Sequence, residues 1–185
     1  MPGSAPHRFA TAPIGYPHAV PTTLDLDALR TYVGDHLAGA RAATELATRC
    51  ADESSDHPVE PYLRRFLDEL DEEKELLHTT MDRLEVTPSL AKQAVGLAGA
   101  MAGIVREALP GSYTPVNRLE DVEALSVGVW GKRLLWSSLM KASTADERLA
   151  DLPFDRKADR AEDQERELLR WRDRVAAEAL GTGTR

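Results

Sequence analysis

The residues best suited to chemistry in this chain are carboxylates and histidines at helical spacing. Glu75-Leu76-Leu77-His78 sets an acid and an imidazole three residues apart, a spacing at which both could reach one cation from a helix. Three other residues, His36, Glu73 and Glu165, lie on or beside apolar stripes and could supply three ligands with an open position. A carboxylate-rich site with one imidazole suits iron or manganese. The run from Asp68 to Glu75 holds six acids and one lysine, either a cation-collecting surface or a solvated helix face. Cys50 is the single cysteine, so neither an internal disulfide nor a thiolate metal cage can form. No nucleophile–histidine–acid set is readable, since Ser137 and Ser138 have no histidine nearby in sequence, and no catalytic residue is assigned. Gly131-Lys132 lacks the glycine pattern and the strand that a phosphate-binding loop requires.

Helices must position these groups. Leu26, Leu29, Val33, Leu37, Ala40, Ala43 and Ala47 recur at three and four residues and predict a first helix over Leu24 to Cys50. A second begins near Pro58 to Pro61 and carries Val59, Leu63, Phe66, Leu70, Leu77, Met81 and Leu84. Thr87-Pro88 opens a third, rich in glycine and alanine, that runs to Leu109. Asn117 with Glu120 marks a fourth over Arg118 to Lys141, whose apolar face is Val122, Leu125, Val129, Trp136 and Met140. A short turn from Thr144 to Pro153 leads into a fifth over Asp155 to Leu180, closed by Gly181. Residues 1–23 hold five prolines and no acid and read as a tail, plain or serving to dock a protein partner. The bundle is therefore expected over 24–181, with 182–185 as a short C-terminal tail.

Four rods of matched length, with the third helix returning the chain from one end to the other, make the second and fourth helices parallel. In helix count, lengths and crossover, residues 24–180 resemble the ferritin-like superfamily, in particular its small bacterial members. The resemblance implies an all-α, ferritin-like four-helix bundle with an additional crossover helix. It also implies a di-metal site made of one glutamate from each of two helices and a Glu-x-x-His pair from each of the other two. Glu75 and His78 match one such pair. With Val59 at zero on the helical wheel, however, Glu75 falls at about 160° and His78 at about 100°, outside the apolar stripe. Glu45 points away from the stripe of the first helix by the same count. The fifth helix reads Glu162-Asp163-Gln164-Glu165 where a second pair should stand, and contains no histidine.

The six-ligand set is thus not met, and a buried polar network of His36, Glu73, Lys132, Glu165 and Arg172 is expected in its place. Opposite charges at similar depth satisfy each other, and the cations would repel a metal. Hence the expected role is non-enzymatic, structural or binding, without a cofactor. The alternative is an iron- or manganese-binding oxidase or storage protein with a reduced site. Trp130, Trp136 and Trp171 are expected in core or subunit contacts, and a homodimer through exposed faces of the fourth and fifth helices is the expected assembly. The net charge of −8 disfavours nucleic acid. No apolar run reaches the 18 to 20 residues of a membrane span, so no membrane insertion is expected and the cytoplasm is the expected location.

Overall fold

The computed structural model describes residues 23–86 and 113–181. The expected third helix, the N-terminal tail up to Thr22 and the C-terminal residues 182–185 lie outside the described residues. Four helices are seen: α1 (Leu26–Asp52), α2 (Glu60–Arg83), α3 (Pro115–Ser143) and α4 (Phe154–Leu180). Between the last two lies a single 3-10 turn, Glu147–Leu149. The expected fourth and fifth helices are α3 and α4. Among the described residues there is no strand, and no helix is long and apolar enough to cross a membrane.

Local chemistry sets the helix starts. Asp25 caps α1, its carboxylate accepting from the amides of Asp27 and Ala28 at 3.1 and 3.0 Å. At α2 the amide of Val59 donates to His57 Nδ1 at 3.1 Å, and Pro61 stands in the first turn, where its missing N–H costs nothing. The start of α3 differs from the expectation by three residues. Thr114 is the cap and Asn117 is its reciprocal partner in a capping box, because Pro115 fits the first helical position and extends the helix backwards. Likewise Asp146, not Thr144, opens the short turn.

Cross-helix contacts give the directions. Tyr32 near the start of α1 meets Ser138 near the end of α3, while Arg49 at the end of α1 meets Asp121 at the start of α3. The pair is antiparallel. α2 and α4 are antiparallel too, through Arg65–Glu167 and Glu72–Arg160, as are α3 and α4 through Arg133–Glu165 and Glu123–Arg172. With α1 and α2 forming a hairpin, α2 and α3 run in the same direction along a diagonal of the bundle. The chain therefore goes up, down, down and up, and every neighbouring pair is antiparallel.

The core comes in two apolar halves. One gathers Leu46, Leu63, Phe66, Leu125, Val129 and Leu168, and the other Leu37, Leu77, Met81, Leu135, Trp136 and Phe154. Burying each large aliphatic or aromatic side chain stabilises the fold by about 1.5–3 kcal/mol. All seven stripe residues of α2 are buried as the period required. Met140 is the exception on α3: it is exposed and Leu139 takes the inward place near the helix end.

Candidate functional site at mid-bundle

Between the apolar halves sits a polar layer. On α2 Glu73 lies between Leu70 and Leu77, on α3 Lys132 lies between Val129 and Leu135, and on α4 Gln164 lies between Ala161 and Leu168. Each is held there because the three- and four-residue spacing that buries its neighbours also turns it inward. Lys132 Nζ donates to Glu73 Oε2 at 2.7 Å and to Gln164 Oε1 at 2.6 Å, and lies 5.2 Å from the centre of the Phe66 ring. Gln164 Nε2 in turn donates to Glu69 Oε2 at 2.6 Å. Glu73 and Gln164 are 3% and 4% exposed, and the Lys132 side chain 12%. Burial pulls the Lys132 ammonium below the usual lysine range, while the carboxylate of Glu73 pushes it back up.

Beside this layer, between α1, α2 and α3, is a cavity of about 60 Å³. Its apolar wall includes Ala43, Phe66, Leu70, Leu77, Leu125 and Leu135, and its polar members include His36, Glu73, Lys132 and Trp136. Two of these are incompletely paired. Glu73 Oε1 and Trp136 Nε1 are buried and find no hydrogen-bond partner among the described residues. Both groups normally obtain a partner when buried, so both are costly as they stand. His36 packs edge-on against Tyr32 with ring centres 4.7 Å apart. Burial lowers its pKa below 6.5 against the opposing charge of Asp35, which favours the neutral imidazole.

The structure brings together only part of the expected network. Glu73 and Lys132 form its centre, and His36 lines the same cavity. Glu165 and Arg172 do not join them. Glu165 binds Arg133 at 2.6 Å along the α3–α4 edge, and Arg172 binds Glu123 at 3.0 Å and Asp173 at 3.4 Å. The inward residue of α4 is Gln164, one position before Glu165. Its spacing of three from Ala161 and four to Leu168 places it on that face, but Glu165, four from Ala161 and three before Leu168, fits the same face equally, so the period alone does not choose between them. Glu75 is exposed, His78 half-buried and Glu45 exposed. Among the tryptophans, Trp136 stacks on Phe154 in the core, Trp171 is half-buried beside Tyr62 and His57, and Trp130 is 52% exposed.

As a metal site the layer does not fit. A divalent ion needs converging anionic or imidazole donors, and here an ammonium already holds the central carboxylate at hydrogen-bond distance. His36, Glu73 and Glu165 do not converge, and among the described residues no three His, Cys, Asp or Glu side chains are grouped to hold an ion.

No protein-family model, curated protein or solved structure matches this chain.

A second polar cluster lies at the helix ends, among residues that the sequence pattern does not single out. Asp121 at the start of α3 is 4% exposed, and its two oxygens accept from Arg49 Nη2 at 2.7 Å and from the Tyr113 hydroxyl at 2.9 Å. Cys50 Sγ lies 3.4 Å from that same hydroxyl oxygen. Burial raises the Asp121 pKa, opposed by Arg49 and Tyr113, and burial also pushes the Cys50 thiol upward. The signal was an acid directly preceding Val122 on a helix whose apolar face is broad.

Proposed function

We propose that this chain is a ferritin-like bundle that works by binding rather than by metal chemistry, with the place of a di-metal centre taken by Glu73, Lys132 and Gln164. The up-down-down-up course of the four helices supports the ferritin-like reading, since two hairpins joined by a long crossover produce that course. The observation that carries the functional reading is the Lys132 ammonium at 2.7 Å from Glu73 Oε2 and 2.6 Å from Gln164 Oε1. A cation of the protein stands where a metal would need its ligands. The reading extends to a cytoplasmic protein with no cofactor.

Self-association through the outer faces of α3 and α4 belongs to the same proposal. Trp130 and Leu134 on α3 and Leu169 on α4 are large apolar residues left exposed. The ion pairs Arg133–Glu165 and Arg172–Glu123 on the same pair of helices cancel their charges within the chain.

Metal analysis of the full chain purified without chelator tests the central claim. Substoichiometric iron and manganese, with a melting temperature unmoved by added Fe²⁺ or Mn²⁺, is the expected result. Stoichiometric iron or manganese, lost on His36→Ala or Glu165→Ala, would establish the metal-binding alternative instead. For the assembly, sedimentation should show a dimer that Trp130→Glu converts to a monomer. A monomeric parent chain removes that part of the reading.

A further inference from the structure

The cavity beside the polar layer is not accounted for by the ion pair itself. Lys132 is satisfied: one proton goes to Glu73, one to Gln164, and Phe66 presents its ring face to the ammonium. The unmet needs are one acceptor, Glu73 Oε1, and one donor, Trp136 Nε1–H, on two residues that line the same cavity and are 3% and 0% exposed. A single hydroxyl serves both kinds of need, because it donates one proton and accepts another. The pair Glu73–Lys132 is neutral as a unit. An added charge of either sign would therefore be taken out of water with no net opposite charge at the site to offset its lost hydration.

The walls define the rest of the molecule. Apart from His36, Glu73, Lys132 and Lys74, the last held by Asp71 and Thr44, they are aliphatic and aromatic, and one of them, Val127, is 57% exposed, so the cavity reaches the surface between α1 and α3. Gly39, Ala40 and Gly128 leave little side-chain bulk at that side. A free volume of about 60 Å³ exceeds what one water needs, roughly 10–15 Å³, and leaves room for a short carbon chain.

We propose that this cavity is a binding site for a small uncharged alcohol, its hydroxyl at Glu73 and Trp136 and its alkyl chain directed toward the opening between α1 and α3. The proposal deepens the binding reading given above by naming the chemical class the mid-bundle site takes. It is tested separately from the metal question, because metal analysis can support the empty-cage reading while the alcohols fail to bind.

The experiment is a titration of the full chain with 1-propanol, 1-butanol and 1-hexanol, read by the indole N–H resonances of its three tryptophans, assigned with Trp130→Phe and Trp171→Phe. The Trp136 resonance should shift saturably and the exposed Trp130 resonance should not. Affinity should rise about fourfold for each added methylene. Butyrate and butylammonium should bind at least about tenfold more weakly than 1-butanol, the factor that 1.4 kcal/mol represents. Ala43→Leu, which fills the cavity from α1, should abolish the saturable shift while the helical signal persists. Ala40→Leu serves the same purpose if the first variant does not fold. A linear, unsaturable response would overturn the proposal, as would equal shifts at Trp130 or binding unchanged in a folded cavity-filled variant. So would a crystal structure, grown with 1-butanol, holding only ordered waters at Glu73.

Discussion

Two buried polar clusters tie this bundle together, and they are built in opposite ways. At the end of α1, Asp121 uses both carboxylate oxygens, one for Arg49 and one for Tyr113. At mid-bundle, Glu73 uses only one, and the other faces no partner among the described residues. Burial is nearly equal, at 4% and 3% exposed. The difference lies in what surrounds them. Asp121 joins helix ends, where Tyr113 precedes the cap of α3 and Arg49 can reach it from the last turn of α1. Glu73 sits in a layer whose remaining contacts are aliphatic and aromatic and which borders a cavity. A closed cluster fixes the register of two helices. An open one leaves free energy for something else to recover.

The sharpest way to break this contrast is to remove one charge at mid-bundle. Lys132→Met leaves Glu73 buried without a counter-charge and should destabilise the fold by about 3–5 kcal/mol in urea unfolding. Glu73→Leu combined with Lys132→Met should recover that loss or exceed it, since apolar pairs of similar volume commonly match or outdo a buried ion pair. Additive losses in the double variant would mean that the two groups do not act as a pair. At the helix ends Tyr113→Phe keeps the ring and removes one bond to a charged acceptor, and should cost about 1.5–3 kcal/mol. A smaller loss than about 0.5 kcal/mol would show that water replaces the hydroxyl and that the cluster is not closed.

Much of the bundle could be read from the sequence, because period and caps are local properties. Val59, Leu63, Phe66 and Leu70 announce the inner face of α2 without knowledge of any other helix. That Glu73 and Lys132 lie beside buried faces was legible for a similar reason, since each is flanked on its own helix by residues that must be buried. Their pairing with each other depends on how α2 and α3 sit, and no single helix reports it. What failed was the choice between adjacent residues at an edge. Glu165 and Gln164 differ by about 100° on the wheel, and only the position of α3 decides which one meets Lys132 and which meets Arg133. The Asp121 cluster lay further from view. It assembles Cys50, Arg49 and Tyr113 from segments distant in sequence, and no periodicity on one helix reports such a meeting. Thr114 rather than Asn117 as the cap of α3 is a smaller version of the same lesson: both are good caps, and the following proline decides.

The smallest expected effect distinguishes the clusters by the sign of their pH dependence. His36, beside the mid-bundle layer, has its pKa lowered from 6.5 chiefly by burial, with Asp35 opposing. Below about pH 6.5 the unfolded chain therefore binds more protons than the folded one, and this group's contribution to stability falls as the pH falls. Asp121 has its pKa raised from 3.8, again chiefly by burial. Between 3.8 and its folded value the folded chain binds more protons, so its contribution rises as the pH falls. Urea unfolding of the parent chain and His36→Gln, from about pH 7 to about pH 5.5, isolates the first effect. The parent should lose more stability than the variant over that interval, because only the parent must keep a neutral imidazole in a buried place while protons become plentiful. Asp121→Asn should show the reverse against the parent in the acid range, the parent gaining relative to the variant as its carboxyl takes up a proton. Parallel curves for either variant would mean that its titrating group is as well hydrated in the bundle as in the open chain, and the physical distinction between the two clusters would then rest on hydrogen bonding alone.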